Sequence, residues 1–135
     1  MRWIALSLLC ACQPQHVTFL TAPPGDVAPL VQREMRRGRL LVYVGASWCE
    51  PCRRFHEAAS AGKLDAQLGG LKLLDFDLDR DEARLREAGY VSQLIPLFAA
   101  PGPDGRASGR QIEGSIKGDG AVAQILPRLQ MLLAP

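Results

Sequence analysis

Two periods organise the apolar residues of this chain. Val27, Leu30, Val31 and Met35 fall close to one helical stripe, which predicts a helix over Val27 to Arg37 ended by Gly38. Arg39 to Ala46 is a continuous apolar run of strand length, as expected of a strand buried on both faces. Cys49 to Ala61 reads as a helix, and Leu64 to Leu68 adds a short helical piece. Leu71 to Leu78 reads as a strand. Alternation sends Leu74, Phe76 and Leu78 to one face and Asp75, Asp77 and Asp79 to the other, which predicts solvated aspartates. Asp81 to Ala88 is helical, with Asp79 or Asp81 as its N-cap. Leu97 to Ala100 is a short strand, and Pro101-Gly102-Pro103-Asp104-Gly105 is a turn cluster. Gly109 to Ile116 returns as a strand. Ala121 to Leu133 is a last helix that Pro127 should kink or split.

A strand–helix–strand unit followed by a hairpin and a final helix predicts an α/β fold, a central mixed sheet with helices on both faces. The 135 residues, 47% of them hydrophobic, suffice for one domain with a real core, expected over residues 27–135. Residues 12–26, with Pro14, Pro23, Pro24 and Gly25, read as a linker or tether. Residues 1–11 have the pattern of a short secretory signal: Arg2 supplies a charge, and Ile4 to Ala11 is apolar apart from Ser7. That run is shorter than the about 20 residues a spanning helix needs. The alternative is an N-terminal helix of a cytoplasmic protein. The net charge of +2 is small and the basic residues are scattered along the chain, which argues against nucleic acid as a partner.

The chemistry lies in Trp48-Cys49-Glu50-Pro51-Cys52, where the apolar strand gives way to a helix. Two cysteines at this spacing on a first helical turn can close a small disulfide ring. The partial positive charge of the helix N-terminus favours a thiolate on Cys49, the species that attacks disulfides. Pro51 suits the first turn, where its missing N–H costs little. Cys49 is expected to be exposed and Cys52 buried. Zinc lacks a ligand set: His56 follows one turn after Cys52, but His16 falls in the linker. Haem attachment needs a histidine where Arg53 stands. No metal and no bound cofactor are implied beyond the Cys49–Cys52 couple. Glu50 adds an anion that disfavours the thiolate and so tunes the pair toward reduction, against the opposing charges of Arg53 and Arg54.

From Val27 to Leu133 the chain resembles the thioredoxin superfamily, through the Trp-Cys-x-Pro-Cys motif, Ile95-Pro96 before a strand, and Gly114 before Ser115-Ile116-Lys117-Gly118. The resemblance implies a cis Pro96, backbone groups of Ile95 offered to an extended substrate, Trp48 shielding the first sulfur, and Gly114 lining the substrate groove. Two positions depart from the thioredoxin pattern. Tyr43 stands where a buried aspartate is usual, and Asp75 falls where its lysine partner is expected. Asp75 is thereby also a candidate to take the proton of Cys52. Glu50 replaces the usual glycine. Cys49-Glu50-Pro51-Cys52 is similar to motifs of exported thiol reductases, although the interval from Cys52 to Pro96 leaves no room for the central insertion of the cytochrome c maturation types. Arg53-Arg54-Phe55-His56-Glu57 resembles the C-terminal reductase domains of membrane thiol-disulfide interchange proteins.

Leu9-Cys10-Ala11-Cys12 also resembles a bacterial lipobox, which implies cleavage before Cys12 and lipid attached to it. These readings lead to one expectation: a monomeric, lipid-anchored reductase of protein disulfides in the periplasm, fed by a membrane-embedded thiol donor. A disulfide oxidase or isomerase, or a non-catalytic binding module, stands as the alternative.

Overall fold

A computed structural model of the chain describes residues 15–135. The expected signal segment and Cys12 lie outside these residues. In chain order the elements are β1 (Thr18–Thr21), α1 (Val27–Met35), β2 (Leu40–Gly45), α2 (Glu50–Ser60), α3 (Asp65–Leu68), β3 (Lys72–Asp77), α4 (Leu78–Glu87), β4 (Leu97–Pro101), β5 (Ala107–Glu113) and α5 (Ala121–Leu133). They form one five-stranded sheet in the order β1-β3-β2-β4-β5. β3 runs parallel to both β1 and β2, while β4 is antiparallel to β2 and β5 to β4.

Two apolar layers sandwich this sheet. Val31 of α1 and Leu85 of α4 pack with Val42, Val44, Leu74 and Phe76 on one face. Phe55 of α2 and Ile125 and Leu129 of α5 pack with Leu41, Tyr43, Leu73 and Phe98 on the other. All of β2 is buried, because it lies at the centre of the sheet between the two layers. The architecture is the α/β fold that the element order predicts, a central mixed sheet with helices on both faces.

Four expectations need correction. Residues 12–26 are not a tether throughout, since Thr18–Thr21 pairs with β3, Thr18 opposite Lys72 and Thr21 opposite Asp75. Four residues with two of them polar carry too weak a pattern to stand out, and only the exposed edge of β3 recruits them. α4 begins at Leu78, not Asp81. Its N-cap is Asp77, whose carboxylate accepts from the amides of Asp79 at 2.9 Å and Arg80 at 3.2 Å. α5 runs unbroken through Pro127. That residue and Ala123, whose carbonyl the proline cannot pair, both lie on the exposed side. Finally, Asp75, Asp77 and Asp79 do not share a solvated face. The alternation argument assumes a sheet with one open side, and here helices cover both.

Candidate redox site

β2 ends at Gly45, and the chain turns through Ala46, Ser47 and Trp48 into α2 at one end of the sheet. Cys49 is the N-cap of α2, and Pro51 lies in the first turn. Cys49 and Cys52 form a disulfide with their Cα atoms 5.3 Å apart. The Cys52 amide donates to Cys49 Sγ at 3.3 Å. An amide at a helix N-terminus aimed at this sulfur stabilises negative charge on it in the reduced state. Among the described residues no N–H donates to Cys52 Sγ, which makes Cys49 the better nucleophile.

Burial does not separate the two cysteines as expected. Cys49 is 5% exposed and Cys52 2%, because Ala46 and Ile95 pack on the disulfide. The asymmetry lies in what each sulfur faces. Cys49 lines an open groove of about 460 Å³ with Trp48, Glu50, Leu94, Ile95 and Lys117. Cys52 lines a second cavity of about 340 Å³ with Tyr43, His56, Asp75 and Arg80. The disulfide therefore stands between two open spaces, one beside each sulfur.

Of the residues that the sequence singles out, Trp48, Glu50, Pro51 and Ile95 line this groove, and Pro96 and Gly114 do not. Trp48 is 60% exposed, and its indole N–H donates to Asp79 Oδ2 at 2.9 Å, which fixes the ring over the mouth of the groove. The Ile95–Pro96 peptide bond is cis, and the Ile95 carbonyl oxygen lies 3.8 Å from Cys49 Sγ. Gly114 donates its N–H to the Pro96 carbonyl at 2.9 Å with φ +71°, and a Cβ there would meet Leu94 Cβ at 3.0 Å. Glycine is required here by both the backbone conformation and the close approach. Leu94, 61% exposed, forms part of the groove wall. Nothing in its local pattern separates it from an ordinary loop leucine.

Glu50 has partners on two sides. Its carboxylate accepts from the Gly118 amide at 2.8 Å and pairs with Arg54 at 3.6 Å, while Arg54 also holds Asp119 at 2.6 Å. The anion is thus engaged with the β5–α5 connection, and its field at Cys49 is offset by Arg54.

The second cavity supplies the carboxylate instead. Burial raises the Asp75 carboxyl to about 6, with the neighbouring Asp77 adding to the shift. His56 Nε2 lies 3.6 Å from Asp75 Oδ2, and burial lowers the imidazole from its usual value, which keeps it neutral at pH 7. The His56 ring stacks on Phe19 of β1 with centroids 3.7 Å apart. The Tyr43 hydroxyl is buried without a hydrogen-bond partner. Burial, then the Asp75 charge, pushes that phenol upward, so it stays protonated. The departures from the thioredoxin pattern at Tyr43 and Asp75 thus meet in one polar cavity behind Cys52. The described residues hold no group of three or more metal-ligating side chains.

This arrangement can carry out thiol–disulfide exchange. It has a sulfur at a helix N-terminus facing a groove, a second sulfur bonded to it, and a carboxyl raised to about 6 lining the same cavity as the second. No family model and no curated protein matches the chain. Among solved structures it is similar to a mutant thioredoxin from Halobacterium salinarum NRC-1, with a TM-score of 0.49 and 17% identity. The likeness covers 90% of this chain and 96% of that one.

Proposed function

We propose that this thioredoxin-fold chain is a thiol–disulfide oxidoreductase working in the reductive direction on protein disulfides. The observation that carries the reading is the pair of unlike spaces around one disulfide: Cys49 opens on the groove, and Cys52 on a cavity holding Asp75. In the reduced state the Cys49 thiolate attacks one substrate sulfur. A Cys49–substrate disulfide forms, the substrate S–S bond breaks, and the other substrate sulfur leaves and takes up a proton. Cys52 then passes its proton to Asp75 and attacks Cys49 Sγ. The second substrate sulfur leaves as a thiolate, and the Cys49–Cys52 disulfide closes. Two electrons have moved from the dithiol to the substrate.

Asp75 also favours this direction thermodynamically. Carboxylates behind the pair disfavour accumulated thiolate, and destabilising the reduced form makes a couple more reducing. Trp48, Leu94 and Ile95 supply an apolar groove for an extended substrate segment. The family resemblance, the apolar Ile4–Ala11 run and the Leu9-Cys10-Ala11-Cys12 pattern support a periplasmic enzyme anchored by lipid on Cys12 and re-reduced by a membrane thiol donor.

Equilibration with glutathione tests the direction. The expected potential lies near the thioredoxin value of about −270 mV, and a value above roughly −180 mV would make the protein an isomerase or oxidase. If alkylation finds neither cysteine reactive after reduction, the pair is a structural clip and the chain a binding module.

A further inference from the structure

Basic residues scattered through the sequence converge at the end of the sheet opposite the disulfide. Arg36 and Arg37 follow the last turn of α1, Arg39 precedes β2, and Lys72 opens β3. The Lys72 amide donates to the Arg39 carbonyl at 3.0 Å, and Lys72 Nζ donates to the Arg37 carbonyl at 3.1 Å, so these three residues are neighbours. Arg39 also shares a shallow groove with Arg110 of β5. Glu34, largely buried, pairs with Arg33 at 3.4 Å and Arg37 at 3.7 Å. Among the described residues no ion pair holds Arg36, Arg39 or Lys72, and Arg36, Arg37 and Arg39 are exposed.

The N-terminal segment joins the domain at the same end. The Gly70 amide donates to the His16 carbonyl at 3.2 Å, and the Thr18 amide to the Leu71 carbonyl at 3.0 Å, just before Lys72. Fourteen residues precede Gln15, including the apolar run Ile4 to Ala11. A basic face beside the junction with a membrane-directed N-terminal segment, whether the uncleaved Ile4–Ala11 run or a lipid on Cys12 after cleavage, supplies the two elements that together give stable membrane attachment.

We propose that this end of the domain, centred on Arg36, Arg39 and Lys72, docks on an anionic lipid surface. The long axis of β2 then separates that surface from the disulfide by about 20 Å, at roughly 3.3 Å per residue. The Cys49 groove faces away from the lipid, toward soluble substrates and the extramembrane part of an electron donor. This orientation needs a charged membrane. It does not depend on acylation of Cys12 or on the direction of electron flow.

The test uses the full chain and vesicles of phosphatidylcholine, with or without phosphatidylglycerol. Partitioning should be stronger to the anionic vesicles and fall as salt rises. The combined Arg36→Gln, Arg39→Gln and Lys72→Gln variant should lose about a hundredfold in anionic partitioning, roughly fivefold for each charge. Its binding to neutral vesicles and its turnover without vesicles should match the unaltered chain. Equal partitioning of the unaltered chain to both vesicle types would overturn the proposal, as would an unaffected variant. Tighter salt-dependent binding to a polyanion such as heparin, lost in the same variant, would reassign the face to an acidic macromolecule. Slower turnover on bound vesicles would overturn the orientation. Absent turnover in solution would instead count against the redox reading.

Discussion

Asp75 concentrates most of the site's chemistry in one side chain. In the proposed mechanism Asp75 accepts the Cys52 proton and must be ionised, so resolution of the mixed disulfide should accelerate from pH 5 to pH 7 with an inflection near 6. Asp75→Asn should slow that step by roughly a hundredfold at pH 7 and flatten the profile. Stopped-flow decay of a Cys49–substrate adduct reads both, and an unchanged profile would remove Asp75 from the mechanism. The same residue bears on stability. Its carboxyl lies higher in the folded chain than unfolded, so its contribution is full below about pH 4 and is lost as pH rises through 6. Asp75→Asn should therefore raise stability at pH 7 by roughly 2 kcal/mol, measured by denaturant unfolding. Tyr43 offers a second residue-level test. Its hydroxyl is buried and unpaired, while its ring packs edge-on against Phe19 and Phe98. Tyr43→Phe keeps the rings and removes the orphaned group, and should stabilise the fold by about 1 kcal/mol. A loss of stability would mean that the hydroxyl has a partner in solution.

Elements are held in register by a second carboxylate. Asp81, in the first turn of α4, accepts from the Asp77 amide at 2.9 Å, from Arg80 at 3.0 Å and from Arg84 at 2.8 Å. Burial alone would raise its carboxyl, but these donors outweigh it and hold the group below the usual carboxylate range. Arg84 continues the link to the carbonyls of Pro23 and Gly25, at 2.7 and 2.9 Å, and so ties the β1–α1 connection to α4. Stability from Asp81 is present above about pH 4 and lost as pH falls through its depressed folded value. Asp81→Ala strands Arg84 as well, and should cost about 3 kcal/mol, read as a lower denaturant midpoint with an unchanged slope. A cost under about 1 kcal/mol would show that α1 and α4 are held together by apolar packing alone.

At the scale of the whole molecule, β1 decides where the domain begins. It covers the edge of β3, and its Phe19 stacks on His56 and packs edge-on against Tyr43. A chain shortened to begin at Val27 should lose this edge cover and aggregate on heating. Its thermal midpoint should fall by several degrees or more, compared by scanning calorimetry with a chain beginning at Gln15. Equal midpoints would restore residues 15–26 to the status of a tether.

The sequence by itself determined the reactive centre and most of the scaffold. Strong patterns are local: an apolar run long enough to be a central strand, and two cysteines on one helical turn. Cys49 and Cys52 were legible in this way, whereas Trp48, Ile95, Pro96 and Gly114 were singled out by the resemblance alone. Tertiary structure decided whatever depends on what covers a residue. Asp75 reads as solvated from strand alternation, and only the packing of α2 over the sheet turns it into a half-buried acid behind Cys52. Glu50 reads as a tuning charge, and only the approach of the β5–α5 connection brings the Gly118 amide to its carboxylate. Thr18–Thr21 carries no decisive pattern, since a short edge strand gains its order from the neighbour it pairs with. Arg36, Arg39 and Lys72 become one face only when parallel strands bring their N-terminal ends together. Sequence spacing records neighbours along the chain, and burial and electrostatics depend on neighbours in space.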